Sequence, residues 1–143
     1  EMQDEFLRLQ GVLGKTILFV THDFDEALRL ADRIAIMKDG IIEQIDTPAN
    51  IVLNPATEYV RKFTQDVPRE KVLKIEAIMD PYAKSLKIGK LTVSQDALIE
   101  KVAEAVLSQA ELVGVTNEKG DTVGVIDRLR IINVLFGDKK DSG

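Results

Sequence analysis

Residues 15–20, KTILFV, constrain the fold more than any other stretch of the chain. From Thr16 onward the run is β-branched or apolar, without polar alternation. A strand made from it carries apolar side chains on both faces, the habit of parallel sheets covered on both sides. The run therefore points to an α/β architecture. It leads directly into Thr21-His22-Asp23, and His22 is the only histidine of the chain. In open α/β sheets, ligands bind outside the carboxyl ends of the strands. A neutral imidazole there can donate to a phosphate oxygen and accept from a water or backbone group. The other reading is a structural residue at a strand end, and the chemistry of the residue alone leaves both open.

The flanking segments set the organisation. Met2, Phe6, Leu9 and Leu13 recur at helical spacing, so residues 1–13 read as an amphipathic helix ended by Gly14. Asp23, with Glu26 three residues on, forms a D-x-x-E capping box at the start of a helix running to about Leu30. Strands are expected at 33–37 and 41–45, joined by the hairpin pair Asp39-Gly40. Thr47-Pro48 opens a short helix that Asn54-Pro55 breaks, and another helix covers about 57–65. The second half reads as β-α-β-β-α: strand 91–93, helix 96–108, strands 112–117 and 122–126 joined by the EKGD turn, and helix 128–136. The tail DKKDSG is expected to be disordered.

Composition limits the function classes. The chain has 143 residues and no cysteine, which excludes disulfides, thiolate chemistry and cysteine zinc sites. With a single histidine, no metal site is expected. No apolar run approaches the roughly 20 residues of a membrane helix, and the acidic start is unlike a secretory signal, so a cytoplasmic protein is expected. The net charge of −5 argues against a nucleic-acid partner. Residues 1–66 hold 7 Lys and Arg against 12 Asp and Glu, whereas residues 67–143 hold 12 of each. That shift suggests two domains, 1–66 and 67–143.

The segment KTILFVTHDFDEALRLADRIAIMKDGIIEQIDTPANIVLNPATEYVRKF resembles the end of an ABC-transporter ATPase subunit, most closely the importer branch for glycine betaine, proline and related osmoprotectants. The carried features are T-H-D at 21–23, E-A-L-R-L-A-D-R-I-A-I-M-K-D-G after it, and N-P-A-x-x-Y-V at 54–60. The resemblance implies the C-terminal part of a P-loop ATPase domain. It makes His22 the catalytic and nucleotide-binding residue, which reaches the γ-phosphate of ATP and holds the attacking water in line. It implies ATP and Mg2+ in the intact subunit, a second ATPase copy, a transmembrane permease, and a place on the inner face of the plasma membrane. Asp46 stands where this family usually has glycine, and a left-handed turn residue is expected there. The phosphate-binding loop G-x-x-x-x-G-K-[ST] is absent from the sequence. The chain thus reads as the C-terminal part of a longer subunit, inactive alone.

Residues 72–137 resemble a single CBS domain, a small α+β module, through V-L-K-I-E-A-I-M at 72–79 and G-D-T-V-G-V-I-D at 120–127. The resemblance implies a regulatory role and an adenine-nucleotide ligand. Asp127 and Arg130 stand where that family places its ligand-binding hydroxyl and carboxylate, and Arg130 offers a charged fork to a phosphate. Lys84, Lys87 and Lys90 form a basic segment before the expected first strand, either a solvated loop or a contact for anionic lipid. The apolar residues Leu98, Val102, Ala105, Val106, Ile131, Val134 and Leu135 exceed what a three-stranded sheet should cover. They are expected to pair with a second copy. Two other functions fit the sequence: a stand-alone, non-enzymatic CBS regulatory protein, or the ATPase of an importer for choline or another amine.

Overall fold

The computed structural model describes residues 2–137, and the expectation for the tail lies outside them. The chain divides into two compact units between Gln65 and Asp66.

In the first unit, helix α1 spans Met2–Leu13 and buries no residue. Gly14, at φ 58°, follows its last turn, and its N–H donates to Gln10 O at 3.0 Å. The expected strand at 15–20 is absent: these residues take neither helix nor strand, and all are exposed. Leu18 is 92% exposed and Val20 88%. The physical reason is the missing ladder. A strand exists only through inter-strand hydrogen bonds, and the described sheet of this unit contains two other strands alone. Those strands are β1 (Ile34–Lys38) and β2 (Ile41–Asp46), paired antiparallel. Asp39 and Gly40 join them at φ 51° and 78°, the double positive φ of a type I′ turn.

Helix α2 (Phe24–Leu30) precedes the hairpin, and α3 (Pro48–Leu53) and α4 (Glu58–Thr64) follow it. Thr47 caps α3 with Pro48 at its first turn, and Thr57 caps α4. The core of the unit is Leu28, Ile34, Ile36, Ile51, Val52 and Val60. Phe24 of α2 meets Phe63 of α4 edge to face, with centroids 4.9 Å apart, and Tyr59 stacks on Phe63 at 6.0 Å. That contact seats α2 against α4. The buried Thr64 hydroxyl is satisfied by Val60 O at 3.0 Å.

Asp46 corrects an expectation. It is not left-handed; Asp39 is the only non-glycine residue with positive φ among those described. Its carboxylate instead accepts from Thr47 N–H at 2.8 Å and Asn50 Nδ2 at 3.1 Å. These bonds, that from Asn50 foremost, hold the Asp46 carboxyl below its ordinary range. Asn50 in turn accepts from Asn54 Nδ2, and Gln44 bonds Asn54 O and Ala56 N–H, tying the end of α3 and the turn before α4 to β2.

The second unit is built on a mixed four-stranded sheet in the order β3-β6-β5-β4. These strands are Asp80–Pro81, Thr122–Ile126, Leu112–Thr116 and Ile88–Ser94, respectively. β4 and β5 are parallel, as a strand pair joined through a crossover helix can be, and the other pairs are antiparallel. The crossover helix is α6 (Ile99–Leu107), and α7 (Arg128–Phe136) closes the unit. The short β3, helix α5 (Arg69–Val72) and a 3-10 turn at Ile75–Ala77 were not expected from the sequence. β4 also begins earlier than expected, so that Lys90 lies within it while Lys84 and Lys87 precede it; all three are exposed.

Ile75, Ile78, Ile99, Ile126 and Ile131 are fully buried here, each stabilising by about 1.5–3 kcal/mol. Val113 and Val115 of β5 share a sheet face with Gly124 and Ile126 of β6. Gly124 is required there, because a Cβ would overlap Met79 Sδ and come 3.0 Å from Asp80 O. Of the apolar residues expected to pair with a second copy, Leu98, Val102 and Leu135 are half-buried and Ala105 is exposed. Val106, Ile131 and Val134 are buried within their own unit, and segment 69–79 adds the buried side chains Leu73, Ile75 and Ile78. The exposed apolar residues of α7 are Leu129, Ile132 and Phe136.

Candidate functional site

His22 sits on a bend between the exposed run and α2, and its side chain is exposed. Asp23 caps α2 in extended conformation (φ −92°, ψ 106°), its Oδ1 accepting from Glu26 N–H at 3.1 Å. The second half of the expected capping box differs. The Glu26 carboxylate accepts from Thr21 Oγ1 at 2.9 Å, and Thr21 Oγ1 accepts from Asp23 N–H at 3.0 Å. The return from Glu26 to the cap N–H thus runs through the Thr21 hydroxyl. The D-x-x-E spacing exposes Asp23 and Glu26 in the sequence; no spacing rule points to Thr21. These three hydrogen bonds engage neither nitrogen of His22, so the arrangement presents an imidazole on a fixed backbone.

Among the described residues, no group of three or more His, Cys, Asp or Glu is placed to hold a metal ion. One presented imidazole offers a single polar contact to an anion. Among the described residues, no helix is long and apolar enough to cross a membrane.

In the second unit, Asp127 and Arg130 are brought together at the start of α7, each with a structural partner. Asp127 Oδ1 accepts from Arg130 N–H at 2.8 Å and caps the helix. Arg130 Nε donates to Ile78 O at 2.8 Å, tying α7 to the segment before β3. Arg69 Nη1 likewise donates to Val134 O at 2.8 Å, placing a cation at the last turn of α7, where the helix dipole favours it.

The chain is similar to ATP-binding proteins of transport systems. It is 62% identical over 141 residues, 98% of its length, to the trimethylamine N-oxide transport system ATP-binding protein of Pelagibacter ubique (strain HTCC1062). It is 46% identical over 137 residues, 95% of its length, to the protein of the same description from Ruegeria pomeroyi. Against the glycine betaine transport ATP-binding protein of Bacillus subtilis (strain 168), it is 48% identical over 120 residues, 80% of its length. The chain spans 41%, 39% and 28% of these three relatives. No family model matches it.

Proposed function

The chain belongs by sequence with the ATP-binding subunits of ABC transporters for glycine betaine, trimethylamine N-oxide and carnitine, matching their C-terminal part, and from that premise we propose that it carries the catalytic histidine end of such an ATPase, followed by a regulatory domain. The observation that carries the reading is His22, exposed on a hydrogen-bonded bend in a chain 62% identical to a transport system ATP-binding protein. In phosphoryl transfer the protein supplies positioning and charge stabilisation more than covalent chemistry. In the complete subunit, His22 donates to a γ-phosphate oxygen of ATP and helps orient the attacking water. Mg2+ accompanies ATP in this chemistry, and its ligands are assigned to the remainder of the subunit.

The remaining assignments follow from the same premise. The subunit works with a second copy of itself and a transmembrane permease, from the inner face of the membrane. Its solute is a small methylated amine. The match to the Pelagibacter ubique protein over 98% of the chain favours trimethylamine N-oxide, and the match to the Bacillus subtilis protein keeps glycine betaine as the second reading. The second unit acts as a CBS-type regulator that takes an adenine nucleotide or anionic lipid. A nucleotide phosphate reaching the Arg130 Nε–H would replace the Ile78 carbonyl as its partner.

The test is His22→Ala in the complete subunit. ATP turnover should fall by about 10²–10³, as removal of one group aimed at a transition state typically costs, while ATP binding stays near normal. Normal turnover would return His22 to a structural role. The 143-residue chain alone should show no micromolar ATP binding by calorimetry.

A further inference from the structure

We propose that Thr21 and Glu26 are positioning residues for His22, fixing the backbone on both sides of it through one shared hydroxyl. The proposal rests on the reading of His22 given above. Three hydrogen bonds close a ring around the histidine. The Thr21 hydroxyl donates to Glu26 Oε2 at 2.9 Å, Asp23 N–H donates to Thr21 Oγ1 at 3.0 Å, and Glu26 N–H donates to Asp23 Oδ1 at 3.1 Å. His22 is the residue spanned by the Thr21–Asp23 bond. Its imidazole takes no part in the ring, so both nitrogens are left for other work.

The burial pattern fits this division of labour. Thr21 and Glu26 are half-buried, whereas His22 and Asp23 are exposed. A helix cap by Asp23 alone would fix only the side of His22 that enters α2. The Thr21 hydroxyl adds the other side, and the Glu26 carboxylate orients that hydroxyl through a charge-assisted bond, stronger than a neutral one. Thr21 can serve because a hydroxyl donates and accepts at once; valine, of nearly the same shape, does neither. An aimed group on an exposed bend needs such restraint, since a displacement of about 1 Å can cost about 10²-fold in rate.

The experiment uses the complete subunit assembled with its permease. ATP turnover is measured for Thr21→Val, Thr21→Ser, Glu26→Ala and Glu26→Gln, and for Thr21→Val combined with His22→Ala. Thr21→Val and Glu26→Ala should lower kcat at least about tenfold with KM for ATP within about twofold. Thr21→Ser and Glu26→Gln keep the donor and acceptor and should recover most of the rate. Thr21→Val should add little to His22→Ala, because it acts through a group already removed. A normal kcat for Thr21→Val beside a slow His22→Ala overturns the proposal alone, as do additive losses in the double variant. A normal kcat for His22→Ala defeats the reading of His22 and the proposal with it. Should Thr21→Val fail to fold, Glu26→Ala against Glu26→Gln decides: equal rates overturn the proposal, and rescue by glutamine supports it. On the 143-residue chain itself, the Asp23 amide should exchange its hydrogen at least about tenfold faster in Thr21→Val. Unchanged exchange would overturn the hydrogen-bonded ring.

Discussion

The run Thr16–Val20 and the run Leu112–Thr116 are both apolar and β-branched for the most part, and opposite in fate. The second forms the interior strand β5, with Val113 1% and Val115 0% exposed. The first forms no strand and leaves Leu18 92% exposed. β5 has ladder partners on both sides, β4 and β6, while the first run has none among the described residues. Apolar, β-branched composition gives a chain the capacity for a strand. The hydrogen-bonding neighbour makes it one.

The sharpest way to break this comparison is to truncate matching residues. Val115→Ala, in β5, should destabilise the second unit by about 2 kcal/mol, because Val115 is fully buried there. Leu18→Ala, in the exposed run, should change stability by no more than about 0.5 kcal/mol. Urea unfolding of the full chain, followed by hydrogen exchange in each unit, measures both. A large loss from Leu18→Ala would mean that the run is packed in solution.

A second contrast uses glycines. Gly124→Ala pushes a Cβ into Met79 and should cost about 1–3 kcal/mol by overpacking. Gly11→Ala, within α1 and with nothing within 4 Å of the new Cβ, should instead stabilise that helix by up to about 1 kcal/mol. Circular dichroism melting of both variants separates the signs. Equal and opposite failures would show that packing at β6 is looser, and α1 less helical, than the structure has them.

The smallest effect is electrostatic. The Asp46 carboxyl is held below its ordinary range by Asn50 and Thr47. A lowered folded-state value stabilises above the unfolded value, about 3.9 for aspartate, and the contribution is lost as pH falls through the folded one. Asp46→Ala should therefore be destabilising at neutral pH, with the difference from the native chain shrinking as pH drops below about 4. Thermal melts across that range check it; a difference that grows on acidification would reverse the sign.

Local chemistry was legible wherever a single turn decides the outcome. Asp39-Gly40 specified the hairpin, because two positive φ angles are cheap for that pair. Thr47-Pro48 and Asp23 specified helix starts, because their side chains and ring satisfy or remove orphan N–H groups within three residues. His22 stood out by being the lone imidazole after an apolar run, and Asp23 and Glu26 by their spacing. The rest depended on distant partners. Whether Thr16–Val20 is a strand hangs on another chain segment. Asp46 became an acceptor because Asn50 comes around the first turn of α3 to meet it. Segment 69–79 is joined to α7 by hydrogen bonds from Arg69 to Val134 O and from Arg130 to Ile78 O, across 65 and 52 residues. The sequence by itself determined caps, turns and helix phases, which are set by interactions a few residues apart. Only the tertiary structure decided which apolar faces are buried and how the hydroxyl beside His22 is used, because these depend on groups the chain must fold to bring together.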